Sequence, residues 1–226
     1  MSTGPVDALE TLRGRLIVSC QAGEGEPLRG PAHMSAMALT VLTGGASGLR
    51  LEGPDDVAAV RALTTVPIIG LWKLGGAPVY ITPTLTAVRA VAEAGADIVA
   101  VDGTGRDRPD GSTFAEVVDV VHRELGRLVM ADVATLEEGV AAAAAGADVV
   151  STTLSGYTGG PVPTGPDLDL VERLAQVLDV PVVAEGRIGS PEEVAEALRR
   201  GAWAVVVGGA ITRPAQITAR FAAATR

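Results

Sequence analysis

The phrase Ala-Gly-Ala-Asp, followed by an apolar run, occurs at Ala94–Asp97 and again at Ala145–Asp148. Looser copies stand at Gly45–Leu51 and Gly201–Gly208. A second series, valine-proline followed by apolar residues, interleaves with the first at Val66–Leu71 and Val180–Ala184, with a variant at Arg127–Met130. Merged, the two series predict a strand roughly every 25 to 30 residues, the length of one strand-plus-helix unit. Eight such units fill the 226 residues. The expected fold class is therefore α/β, as a closed (β/α)8 TIM barrel with a single domain over residues 1–226. That choice also says where chemistry belongs, at the C-terminal ends of the strands.

Composition agrees with buried parallel strands under small-residue helices. Hydrophobic residues make up 47% of the chain but aromatics only 3%, so Ala, Val and Gly carry the core. A net charge of −9 argues against nucleic acid as a partner. It leaves room for a phosphorylated metabolite, which backbone amides and one or two local arginines can bind. The single cysteine, Cys20, rules out an internal disulfide and fits a reducing compartment. No apolar stretch approaches membrane-span length, and Met1–Glu10 lacks the regions of a signal peptide. The expectation is a cytoplasmic, soluble chain with no membrane partner.

Strands are expected at Leu16–Cys20, Gly48–Leu51, Ile68–Trp72, Ile98–Val101, Leu128–Ala131, Val149–Thr152, Val182–Ala184 and Ala204–Val207. Thr135 with Glu138, and Ser190 with Glu193, read as capping boxes, the second with Pro191 at the first helical position. Two connections are long or glycine-rich, Leu74–Tyr80 and Gly156–Gly165. Both follow strand ends on the reactive face, and both are expected to cover an active site.

At the strand ends, the odd strands offer Gln21, Lys73, Asp132 and Glu185. The even strands offer Arg50, Asp102, the Thr152–Thr153 pair and Gly208. Alternate strands of such a barrel contribute one common inward layer, so the four odd-strand residues should share a polar layer at the mouth. Strands 3 and 7 lie opposite one another in a ring of eight, which sets Lys73 against Glu185 with room for a small substrate between. If Lys73 points inward, so do Ile69 and Leu71, while Trp72 packs outward. The apolar layer beneath should lower the lysine pKa and make it a usable base.

Glu185-Gly186-Arg187 and Gly208-Gly209-Ala210 follow strands 7 and 8, the recurrent phosphate site of this fold. Glycines let amides approach an anion, a helix begins there, and Arg187 or Arg213 can add charge. His33 and His122 read as structural, Asp97 and Asp148 as turn formers at the bottom of the barrel. No cluster of His, Cys and carboxylates has metal-ligand spacing, so chemistry without a metal or other cofactor is expected.

Read together, these residues identify the chain as resembling the N-acetylmannosamine-6-phosphate 2-epimerase family. The resemblance rests on Ile17–Ala22, Val79–Thr84, Met130–Asp132, Ser151–Thr158, Ala184–Ile188 and Val207–Pro214, in that order, over most of the chain. It implies interconversion of N-acetylmannosamine 6-phosphate and N-acetylglucosamine 6-phosphate in sialic acid catabolism, without a cofactor and in a homodimer. It further implies that Lys73 transfers the proton and that Glu185 is its carboxylate partner. Gln21, Arg50 and Asp132 would contact the sugar, with Thr153 beside them. Arg213 would join Gly186, Gly208 and Gly209 in the phosphate grip.

The chain departs from the family pattern after Lys73, where Leu74–Pro78 replaces a longer loop that carries Arg and Tyr, and in the long Gly159–Gly165 segment. Three rival readings stand beside this one. They are a Schiff-base aldolase using Lys73, another phosphate-gripping barrel such as a ribulose-phosphate epimerase or a synthase of the tryptophan or thiamine routes, and a non-catalytic sugar-phosphate binder.

Overall fold

The computed structural model describes residues 5–159 and 161–225. Eight parallel strands close into a barrel in sequence order, with β8 paired to β1. They are β1 (Leu16–Cys20), β2 (Gly48–Glu52), β3 (Ile68–Leu71), β4 (Ile98–Asp102), β5 (Leu128–Asp132), β6 (Val149–Ser151), β7 (Val182–Glu185) and β8 (Ala204–Val207). Around them run α1 (Pro5–Glu10), α2 (Pro31–Thr43), α3 (Pro54–Arg61), α4 (Leu85–Glu93), α5 (Phe114–Asp119), α6 (Leu136–Ala144), α7 (Leu168–Val177), α8 (Pro191–Arg199), α9 (Gly209–Thr212) and α10 (Pro214–Ala223). A π-helical turn, Val120–Glu124, extends α5. Among the described residues no helix is long and apolar enough to cross a membrane.

Both faces of the strands are apolar because both are covered. Ile17, Ile69, Leu71, Ile98, Met130 and Val206 point inward and fill the barrel. Their neighbours Val18, Leu49, Val99, Val101 and Val129 point outward, under the helices. Each such side chain contributes about 1.5–3 kcal/mol by leaving water. Trp72 packs with the outer set, as the alternation along strand 3 requires. Gly70 marks a close approach of α4 and the turn after it to the sheet. A Cβ there would stand 2.6 Å from Val91 and 2.7 Å from Ala96.

The repeated Ala-Gly-Ala-Asp phrase has a backbone purpose. Asp97 donates its N–H to the Ile68 carbonyl and accepts the Ile68 N–H on Oδ2, both at 2.9 Å. Asp148 does the same to Val129, at 3.0 and 2.7 Å. Each aspartate thus holds the foot of the preceding strand in register. Arg61 supports Asp97 and His122 supports Asp148, both from outside the sheet.

Several sequence expectations need correction. β2 runs on to Glu52, so Arg50 lies inside the strand and Glu52 stands at its end. β3 stops at Leu71, which leaves Lys73 beyond the parallel ladder. The Thr135–Glu138 capping box is complete. At Ser190 only half of the box forms, because the Glu193 carboxylate accepts from the Gly189 N–H instead.

Candidate active site

A cleft of about 590 Å³ opens at the C-terminal mouth of the barrel. Ten of the eleven sequence-predicted site residues line it. The exception is Asp132, which is wholly buried beneath the floor.

Arg50 organises the floor. It is 1% exposed, points inward from β2 and reaches across the barrel. Its Nη1 and Nη2 donate to the two oxygens of Asp132 at 3.1 and 2.6 Å, and Nη1 also donates to Glu185 Oε2 at 2.6 Å. Burial opposes its charge, but the two carboxylates more than offset that and hold the guanidinium protonated. Thr153 Oγ1 donates to Asp132 Oδ1 at 2.7 Å, so one face of the threonine braces the buried carboxylate. Thr152 does other work, its hydroxyl exchanging hydrogen bonds with the Glu185 backbone. The sequence reading set Asp132 in the layer at the mouth. The structure sets it one level below, behind Arg50, because the arginine fills the space between β2 and β5. Asp102 also misses the cleft, its carboxylate being occupied by Thr104 and Arg106 of its own loop.

Glu185 and Lys73 line the same cleft, with opposite pKa displacements. The Glu185 carboxyl is 13% exposed on its side chain, and burial pushes it up to about 7 despite the neighbouring Arg50. Lys73 lines the cleft and its side chain is exposed to solvent there. Desolvation, with Arg50 adding to it, lowers its pKa below the ordinary lysine value, while Glu52 and Glu185 oppose the shift. Its Nζ donates to Gln21 Oε1 at 2.7 Å, and Gln21 Nε2 donates to Ser19 Oγ at 2.8 Å. Lys73 is also the only lysine in the chain; the other 17 of its 18 basic residues are arginines. Arginine serves wherever a fixed charge suffices, whereas a lysine can release its proton.

The far end of the cleft gathers glycines and, among the described residues, unpaired backbone amides. Gly186, Gly208 and Gly209 line it, and the first N–H groups of α9 have no partner within that helix. Arg213 lines the same end, 3.6 Å from Glu26. Arg187 also lines the cleft, but its guanidinium is engaged. Nε donates to the Gly165 carbonyl at 2.7 Å, Nη1 to the Ser155 carbonyl at 2.5 Å, and the group lies over the Tyr157 ring. Its side chain therefore fastens the 156–165 loop to the rim, in place of the expected free cation.

Sequence reasoning missed Ser19, Tyr80, Tyr157, Gln216 and Arg220, which also line the cleft. Ser19 was within reach, two residues from Gln21 on an alternating strand. Gln216 and Arg220 follow Arg213 at helical spacing, a signal present once α10 is known to start at Pro214.

Comparison with known proteins gives this arrangement its relatives. The family profile described as putative N-acetylmannosamine-6-phosphate epimerase matches residues 34–226. A putative N-acetylmannosamine-6-phosphate 2-epimerase of Cutibacterium acnes is 49% identical over 96% of both chains. One of Caldanaerobacter subterraneus is 50% identical over 96% of this chain and 93% of its own length. The solved N-acetylmannosamine-6-phosphate 2-epimerase of Clostridium perfringens is 44% identical, with a TM-score of 0.92 over 95% of each chain. Thiamine phosphate pyrophosphorylase of Pyrococcus furiosus, at 19% identity and a TM-score of 0.63 over 90% of this chain and 89% of its own, shares the fold alone. With matches of this length and identity, the chain belongs to the N-acetylmannosamine-6-phosphate 2-epimerase family.

Proposed function

We infer that this chain is an isomerase that interconverts N-acetylmannosamine 6-phosphate and N-acetylglucosamine 6-phosphate, epimers at C2, in amino-sugar and sialic acid metabolism. One observation carries the residue assignment. The only lysine of the chain has a lowered pKa and shares a cleft with a carboxyl raised to about 7. A carboxyl tuned upward and a lysine tuned downward, each toward neutrality, suit an acid and a base that act on one substrate.

In this reading the sugar ring opens first, because the C2 proton is acidic only beside a C1 aldehyde. The Lys73 lone pair takes that proton. The C2–H electrons move into the C1–C2 bond, and the C1 carbonyl becomes an enol oxygen that receives a hydrogen bond or proton from Glu185. The enol turns its other face to the Lys73 ammonium, which returns the proton to C2 while O1 gives its proton back to Glu185, and the inversion is complete. Arg50 keeps Glu185 oriented, and Asp132 and Thr153 keep Arg50 oriented, so these three act behind the reacting atoms. Gln21 positions the Lys73 amine. Gly186, Gly208, Gly209 and Arg213 receive the phosphate.

The same reading takes the whole chain as one catalytic domain, working in the cytoplasm as a homodimer. Support for a second copy comes from α10, which buries none of its residues and leaves Phe221 74% exposed. The test of function is proton NMR of N-acetylmannosamine 6-phosphate incubated with the protein in deuterated water. The C2 proton signal should disappear as the second epimer accumulates. Lys73→Ala should abolish both while leaving the binding of phosphate, followed by calorimetry, largely intact. Full exchange by that variant would remove the lysine from its role.

A further inference from the structure

Lys73 lies beyond the end of β3, so the barrel ladder does not hold it. A returning strap does. Residues 80–82 run antiparallel to 72–74, with a bridge between Lys73 and Ile81. Leu74 donates to the Tyr80 carbonyl at 3.0 Å. Thr82 takes up both backbone groups of Trp72, donating to its carbonyl at 2.8 Å and accepting its N–H on Oγ1 at 3.1 Å. Apart from a 3.3 Å hydrogen bond from the Lys73 N–H to Glu52 Oε1, the backbone that carries the amine is held by Thr82 and its neighbours.

Thr82 is itself constrained. It is fully buried and β-branched, yet its φ is +43°, in the left-handed region. Such a conformation persists only where the surroundings over-determine it. Here the Thr82 hydroxyl donates to the Ala100 carbonyl at 2.6 Å, and Arg108 Nη2 donates to the Thr82 carbonyl at 2.6 Å. Arg108 comes from the loop between β4 and α5 and is 8% exposed. Its other branch, Nη1, donates to the Asp102 carbonyl at 2.9 Å, while its Nε is buried without a partner. Burying a guanidinium with an orphaned donor is costly, and the cleft chemistry described above makes no use of this one.

We propose that Arg108 is a positioning residue for Lys73: by gripping the Thr82 carbonyl it latches the strap, and the strap fixes where the amine stands. The proposal rests on Lys73 being the base. The groups that set the charge around Lys73 come from elsewhere, namely Gln21 on β1, Arg50 and Glu52 on β2, Glu185 on β7 and Arg213 after α9. Those facing Arg108 are Asp102 and Asp110. Releasing the latch leaves all of them in place and frees the strap that sets where the amine stands among them. A displacement on the order of 1 Å at a reacting group costs about 10²-fold in rate.

The test uses Arg108→Met, Thr82→Val and Thr82→Ser in the full chain. Arg108→Met should lower kcat about 10²-fold with KM changed less than about threefold, since the anion end belongs to other loops. Thr82→Val, close in shape but without the hydroxyl, should do the same, while Thr82→Ser should stay within about twofold of the parent. A readout independent of activity is available because the chain has one lysine. Reductive methylation with 13C-formaldehyde gives a single lysine signal, and its titration should move toward the ordinary lysine value in Arg108→Met and Thr82→Val. A folded Arg108→Met protein with parental kcat and parental titration overturns the proposal. Should that variant fail to fold, the same two parental results from Thr82→Val overturn it. Absence of C2 exchange in the parent protein counts against the epimerase reading instead, and the methyl titration still decides the latch.

Discussion

Arg50 is bound by two carboxylates at once, but burial outweighs that pairing at Glu185 and sets the pH behaviour of the cleft. Below about pH 7 Glu185 and Lys73 both hold protons, and the lysine has no lone pair to offer. Above that point the pair keeps one proton, and the fraction carrying it on Glu185 is the active form. Once the pH passes the lowered Lys73 value, Glu185 has nothing to donate. The expected kcat/KM profile is a bell that rises through about pH 7 and falls below the ordinary lysine range. Glu185→Gln should move the acid limb up to the lysine's own titration, abolish the alkaline fall and lower kcat by about 10²–10⁴-fold, as measured by initial rates across pH. An unchanged acid limb in that variant would assign it to another group.

Among the elements, the 156–165 loop differs most from an ordinary barrel connection. Tyr157 and Thr164 from this loop line the cleft, and Arg187 ties it down through two carbonyls. Hydrogen bonds from a charged donor to carbonyls contribute about 1.5–3 kcal/mol each, enough to hold such a segment over a ligand. Arg187→Met should therefore raise KM about tenfold with a smaller change in kcat. Competitive inhibition by inorganic phosphate should stay within about twofold, since the anion is gripped by other groups. Loss of phosphate inhibition in the same steady-state experiment would return Arg187 to the anion site.

At the scale of the molecule, the acidic chain closes its barrel completely but leaves its last helix without a buried face. Phe221 on α10 is the most exposed of the large hydrophobic residues, and Gln216 and Arg220 of the same helix border the cleft. A second copy lying on α10 would cover the phenylalanine and steady those cleft residues together. The parent protein should then elute at twice 22.8 kDa in light-scattering chromatography, and Phe221→Glu at the single-chain mass. A monomeric parent would sink this part of the reading.

Local signals made the barrel legible before any coordinates. Two interleaved phrases at fixed spacing set eight units, and period-two alternation put Ile69, Leu71 and Lys73 on one face and Trp72 on the other. Glycines after strands 7 and 8 marked one end of the cleft for the same reason, because short-range backbone needs are written in residue type. What spacing alone could not supply was depth and partnership. Asp132 lies below the mouth, Arg187 is taken up by the loop after β6, and Arg108 reaches Thr82, each because of who stands across the barrel or beside the strap. Those outcomes depend on contacts between residues tens of positions apart. No local periodicity encodes them, so closing the sheet decided which charges meet.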